Sequence, residues 1–245
     1  MATVAPAPPE IEYPSSDGEP MAETPIHRDV MTDLIAMLNA YFADEPKVYV
    51  SGNMMMYYVE GNADKSVSPD VFVTRDIPKL PERETYKLWV EGKGPDVVIE
   101  VTSKSTARID QRWKFALYRD VLKVREYFMF DPREKTLAGV SLCGYRLIDG
   151  QYELIPKSGD RLVSEVLGLH LEVVGGELRF YNPERGVYLP TPQEIREALE
   201  RESAARAAAE AQAQREAAAR AAAEAELERL RRELKALRGG APPGP

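Results

Sequence analysis

The sequence predicts a mixed α/β domain followed by one long helix. Three observations lead there: an almost wholly apolar strand candidate at Val97–Val101, an amphipathic helix directly after it with a further strand behind, and a closing stretch of Ala, Glu and Arg. A buried strand, a helix and a second strand in that order form a plausible right-handed βαβ unit. The 245 residues suffice for one sizeable domain and an appendage.

The first twenty residues are rich in Pro, Ala and acids with little to bury, and they read as a flexible arm, residues 1–20. The domain then occupies 21–190. Val30, Leu34, Leu38 and Phe42 recur every four residues, the rhythm of an amphipathic helix over 27–42, and Pro46 ends it. Strands are predicted at 47–51, at 54–60 with alternating faces, at 70–74 after a proline, at 96–101 and at 126–131. Ser103 to Thr106 offer caps for a helix running to about Leu122, with Ile109, Trp113 and Leu117 on its buried face. Asp149-Gly150 and Gly175-Gly176 carry the turn chemistry of tight hairpins.

From 191 to 238 the composition favours continuous helix, with acids and bases about equal. Leu227, Leu230, Leu234 and Leu237 follow a three, four, three spacing, a short heptad seam that argues for self-association, most simply as a dimer. The stretch from Ala204 to Ala223 has small residues at most candidate core positions, so a single exposed helix stays open. Residues 239–245 read as a disordered tail.

Composition narrows the function classes. No apolar run reaches the roughly 18 residues of a membrane span, and MATVAPAPPE lacks the basic start and apolar stretch of a signal peptide. One cysteine, Cys143, excludes an intrachain disulfide and a thiolate metal cluster, which makes the cytoplasm the default compartment. The net charge of −8 argues against a generally basic surface for gripping DNA.

The chemistry rests on two carboxylates. Asp70 stands at the mouth of a strand in Ser68-Pro69-Asp70, and Glu100 interrupts an apolar strand. An ionised carboxylate there costs several kcal/mol unless a cation pairs with it, and a divalent metal shared with a second carboxylate is one solution. Hard oxygen ligands suit Mg²⁺ or Mn²⁺. The plainer readings are that Asp70 is a turn residue and that Glu100 pairs with a core Lys or Arg. Asp96 shares the strand face but lies about 13 Å from Glu100 at the strand rise, so it reads as a strand-entry turn. Lys114, four residues after Asp110, reads as an exposed helix ion pair, and Lys104 as a loop lysine. His27 reads as a helix-start residue and His170, between two leucines, as structural.

The ordered series Ser68-Pro69-Asp70-Val71-Phe72-Val73, Pro95-Asp96-Val97-Val98-Ile99-Glu100-Val101-Thr102-Ser103, Asp110 through Lys114 to Tyr118, and Val124-Arg125-Glu126-Tyr127-Phe128-Met129-Phe130-Asp131-Pro132 resembles the Uma-two-type endonucleases of the PD-(D/E)XK superfamily, over about Glu23 to Leu189. The resemblance implies a restriction-endonuclease-like core, a mixed central sheet flanked by helices, with a metal between Asp70 and Glu100 and the Val101 carbonyl as a further ligand. It implies DNA as substrate and phosphodiester hydrolysis as reaction. The superfamily's usual lysine position is Thr102 here, so the resemblance assigns that role to Lys114 on the following helix. It adds His27 and Glu23 as accessory residues. The acidic balance suits a DNA substrate if the basic residues Lys104, Arg108, Arg112 and Lys114 gather around the cleft, and not if they scatter. Two other classes stay open: an inactive nuclease-fold binding module, and an assembly protein organised by its helical tail.

Overall fold

The computed structural model describes residues 11–16, 24–102, 109–133, 137 and 140–239, with the side chains of 109–111 and 237–239 excepted. Two units are distinguished, Met1–Pro192 and Gln193–Pro245.

The first unit opens with α1 (Pro25–Tyr41), whose Thr24 cap accepts from the His27 N–H. Then come β1 (Val48–Ser51), β2 (Met56–Tyr57), β3 (Ser66–Val67), β4 (Val71–Arg75), β5 (Tyr86–Lys87), the short α2 (Leu88–Glu91) and β6 (Val97–Val101). Helix α3 (Ile109–Ala116) runs into a π-helical turn at Leu117–Val121 and leads to β7 (Glu126–Phe130), β8 (Leu142–Ile148) and β9 (Gln151–Leu154). Five further strands follow: β10 (Lys157–Ser158), β11 (Arg161–Ser164), β12 (Leu169–Val174), β13 (Glu177–Asn182) and β14 (Val187–Tyr188).

The central sheet has six strands in the order β1-β4-β6-β7-β8-β9, and β6 and β7 run parallel while the other neighbours are antiparallel. It is therefore a mixed sheet, and the parallel pair is joined through α3 as the strand-helix-strand pattern requires. Alternation divides its side chains. Val97, Ile99 and Val101 join Leu34, Leu38 and Phe128 in a core shared with α1 and the β10–β14 sheet. Val98, Phe72, Tyr127 and Met129 point to the other face, where Leu117, Tyr118, Leu122 and the small β3-β2-β5 sheet cover them. Both faces are thus buried, which is why β6 and β7 read as continuous apolar runs.

Three expectations are corrected here. The strand predicted over 54–60 is only two residues long, because Met56 and Tyr57 are buried between an antiparallel and a parallel neighbour while the chain around them turns. Trp113 is not on the buried face but 47% exposed, since the helix turns Lys114, Phe115 and Tyr118 inward. Within the arm, residues 11–16 are docked: the Tyr13 ring packs at 5.0 Å from Tyr57 and 5.2 Å from Trp89, and the Tyr57 hydroxyl donates to the Pro14 carbonyl. The rest of the arm, the caps at Ser103 to Thr106 and the last residues of the tail lie outside the described residues.

The two predicted hairpin turns join β8 to β9 and β12 to β13, with positive φ at Asp149, Gly150, Gly175 and Gly176. The second unit is α4, a helix from Pro192 to Gly239 that begins on the last residue of the first unit. No described helix is long and apolar enough to cross a membrane.

Candidate active site

Position on the sheet selects the site. Val71 pairs with Ile99 across the antiparallel β4–β6 ladder, so one residue further brings Asp70 to the level of Glu100. Period-two alternation sends both side chains to the face covered by α3. Glu100 is 7% exposed, alone among the apolar residues of β6 in carrying a charge.

Both oxygens of Glu100 are engaged. Lys114 donates to Oε2 at 2.7 Å, and the Tyr118 hydroxyl donates to Oε1 at 2.6 Å. These donors stand four residues apart, so one helical turn presents both to the carboxylate. Lys114 thus lies on the site side of its helix, and the side chain of Asp110, its expected partner, lies outside the described residues. Asp70 accepts through Oδ2 from the Val101 N–H at 2.7 Å and meets His27 Nε2 at 3.1 Å. Thr24 caps α1 one turn earlier, which aims the helix start and His27 at the strand end.

The two acids titrate in opposite directions. Burial pushes Glu100 up to about 7, with Asp70's charge adding to it and the Lys114 ammonium opposing. Burial also raises Asp70, but the His27 hydrogen bond, the Lys114 charge and the Val101 N–H outweigh it and leave the group below its ordinary value. Tyr118 is held well above its ordinary range by burial and by Glu100, so it remains a hydrogen-bond donor. One ionised acid thus stands beside another that is poised to gain or lose a proton near neutrality.

This donor set fits a hard divalent cation. A second positive charge would relieve the desolvation that lifts Glu100, and carboxylate oxygens accept more than one partner. Among the described residues no group of three His, Cys, Asp or Glu side chains forms a metal cage, so a cation here would rest on two carboxylates and main-chain or solvent oxygens.

The remaining sequence candidates separate. The Thr102 hydroxyl and N–H both reach the Phe130 carbonyl, at 3.3 and 2.7 Å, which ties the usual lysine position to β7. Glu23, Lys104 and Arg108 lie outside the described residues, and Arg112 is exposed. Asp96 is buried at the strand entry and accepts from the Arg75 N–H at 2.7 Å and from Lys93 at 2.8 Å. His170 sits on β12 with its ring against Tyr181.

Two further residues, Tyr118 and Gly52, build the site. Tyr118 was visible only as a motif residue, its signal being the four-residue step from Lys114. Gly52 supports Asp70 from β1's end: a Cβ there would stand 2.0 Å from the Asp70 carbonyl oxygen. Such backbone proximity between segments distant in sequence leaves no local signal beyond the glycine itself.

The chain is 26% identical over 149 residues to "Uncharacterized protein sll1609" of Synechocystis sp. (strain ATCC 27184 / PCC 6803 / Kazusa), covering 60% of this chain and 72% of that one. Among solved structures, a "putative nuclease belonging to DUF820" from Anabaena variabilis ATCC 29413 aligns at a TM-score of 0.44 and 15% identity, over 65% of this chain and 86% of that one. The model of the Uma2 family matches residues 3–194, most of the chain, and the protein therefore belongs to that family, whose description is "Putative restriction endonuclease".

Proposed function

We propose that the protein is a metal-dependent endonuclease that hydrolyses phosphodiester bonds of DNA by in-line attack of water. The observation that carries this reading is the engagement of Glu100, buried beside Asp70, by Lys114 from the following helix. Asp70, one oxygen of Glu100 and the Val101 carbonyl would hold Mg²⁺ or Mn²⁺. When bound, that cation would supply an activated water and offset charge on the phosphate.

The chain's own residues do the rest. Lys114, 22% exposed, keeps its ammonium at the rim of the site, where it orients the attacking water and stabilises charge developing on the phosphate oxygens. His27 and the Val101 N–H fix Asp70 in one orientation and keep it ionised. Tyr118 fixes Glu100 from the closed side. Belonging to a nuclease family makes nucleic acid the substrate class we assign, with DNA as the specific choice.

Thr102 favours a second reading. With no lysine at that position and its hydroxyl committed to Phe130, the domain would bind nucleic acid without cutting it. Cleavage of supercoiled and single-stranded DNA with Mg²⁺ or Mn²⁺, beside Asp70→Ala, Glu100→Ala and Lys114→Ala, separates the two. Metal-dependent cutting lost in both acid variants and strongly reduced in the lysine variant supports the enzyme. No cutting on any substrate, or cutting that survives Glu100→Ala, removes the hydrolytic mechanism. For the tail we propose self-association as a dimer.

A further inference from the structure

Helix α4 is 48 residues long, and from Gln193 to Ala236 its described side chains are all exposed, including Ile195, Leu199, Leu227, Leu230 and Leu234. The heptad of the leucine seam, extended back, reaches Leu199 four heptads before Leu227 and Ile195 five heptads before Leu230. Apolar residues at both ends thus lie on one stripe. Between them the same a and d positions carry Glu202, Arg206, Ala209, Ala213, Glu216, Arg220 and Ala223, so in this heptad frame alanine fills three, not most, of the six core positions between Ala204 and Ala223.

The charges on this stripe decide its orientation. In a parallel pair each of the four charged residues would face its own copy, Glu against Glu and Arg against Arg, at partly buried positions. An antiparallel pair opposes a positions to d positions instead. In one register Leu227 meets Ile195, Ala223 meets Leu199, Arg220 meets Glu202, Glu216 meets Arg206, and Ala213 meets Ala209. Every charge then faces its opposite. A shift of seven residues either way sets Glu202 against Leu227 or Glu216 against Leu199, and the complementarity is lost.

The flanking positions agree with close approach. Of the six positions bordering the centre of the stripe, Ser203, Ala205, Gln212, Ala217 and Ala219 are small or neutral, and only Glu210 carries a charge. Their size lets the long Arg and Glu stems lie along the partner helix while their heads meet. The contacts these side chains make within α4, Arg206 with Glu210 and Gln212 with Glu216, are solvent-exposed and weak, so exchanging them costs little. In this register Leu230 falls opposite Pro192 of the second copy, and Leu234 and Leu237 run past it.

We propose that α4 pairs with α4 of a second copy of this chain in antiparallel orientation, the register being set by Arg220 against Glu202 and Glu216 against Arg206. The inference rests on the dimer reading of the tail and is independent of catalysis.

Spin labels on the full chain test it, in a Cys143→Ser background with Ala225→Cys or Ala211→Cys, both on the outer face of the stripe. At the 1.5 Å helical rise, the antiparallel register places the two 225 labels about 42 Å apart along the axis and the two 211 labels level with each other. A parallel pair gives short distances at both sites, and a seven-residue slip changes the 225 separation by about 10 Å; either result overturns the orientation or register. A monomer by sedimentation overturns the dimer itself. As an independent arm, Glu216→Arg should weaken association roughly tenfold or more, and Arg206→Glu with Glu216→Arg should restore it. Failure of the exchanged pair to restore association overturns the proposed charge pairing.

Discussion

The Tyr118 hydroxyl lies 2.6 Å from Glu100 Oε1, on the side of the carboxylate opposite Lys114. Tyr118 is fully buried and reaches the acid from the turn where α3 widens into a π-helical geometry. Local widening of this kind recurs at functional sites, and here it lets Leu117, Tyr118 and Leu122 all face the sheet.

Removing that hydroxyl leaves a buried carboxylate oxygen short of a donor. Tyr118→Phe should destabilise the fold by about 1–3 kcal/mol and lower cleavage, with Glu100 pushed further above its ordinary range. Thermal melts and a carboxyl titration by NMR check this; an unchanged Glu100 titration would show that the contact does not govern the acid.

The raised Glu100 makes the metal-free protein sensitive to alkali. Its folded value, about 7, exceeds the ordinary 4.5, so between these the folded state holds the proton more tightly than the unfolded one. The stability this confers is fully present below pH 4.5 and is lost as pH rises through about 7. The total is on the order of 3 kcal/mol, at 1.36 kcal/mol per unit. Asp70, held below its ordinary value, acts in reverse: its stabilisation is present above that value and lost as pH falls through the depressed one. Melting temperature should therefore fall between pH 5 and 7.5 in the protein without metal, and Glu100→Gln should flatten that limb. A melting curve of equal slope in the variant would sink the assignment.

Gly52 positions Asp70 through backbone contact alone. Gly52→Ala forces a Cβ to within 2.0 Å of the Asp70 carbonyl oxygen and 2.7 Å of Ile35 Cδ1, so the strand end must move. A displacement near 1 Å at the acid should reduce cleavage on the order of a hundredfold. The readout is cleavage rate beside circular dichroism, and wild-type activity in a folded variant would refute the role.

Glu126 tests the link between the two larger sheets. It is 1% exposed and accepts from Arg146, from the Ser164 hydroxyl and from the Glu165 and Val166 N–H groups. Glu126→Leu takes the acceptor from the Ser164 hydroxyl and the Glu165 and Val166 N–H groups, while Arg146 keeps Glu165 and the Val163 carbonyl, and should cost on the order of 3 kcal/mol. Glu126→Gln keeps one acceptor oxygen without the charge and should cost less; equal losses in urea denaturation would show that the charge, not the hydrogen bonds, holds the link.

The sequence by itself determined the elements whose cause is local or periodic. Apolar spacing placed α1, β4, β6 and β7 to within a few residues, Ala, Glu and Arg composition placed α4, and the Asp-Gly and Gly-Gly pairs placed two hairpins, because these signals act over a few neighbouring residues. It also marked Glu100, since a charge in a buried run stands out against its neighbours, and offered Asp70 at the mouth of another strand. Only the tertiary structure decided what they meet. The inward face of α3 is set by packing against β6 and the π-helical turn, so Lys114 and Tyr118 reach Glu100 while Trp113 faces solvent. The pairing of α1's first turn with the mouth of β4 brings His27 to Asp70 across forty-three residues of chain. Contacts of that range depend on how separate segments pack, and the spacing of residues along one strand or helix carries no record of them.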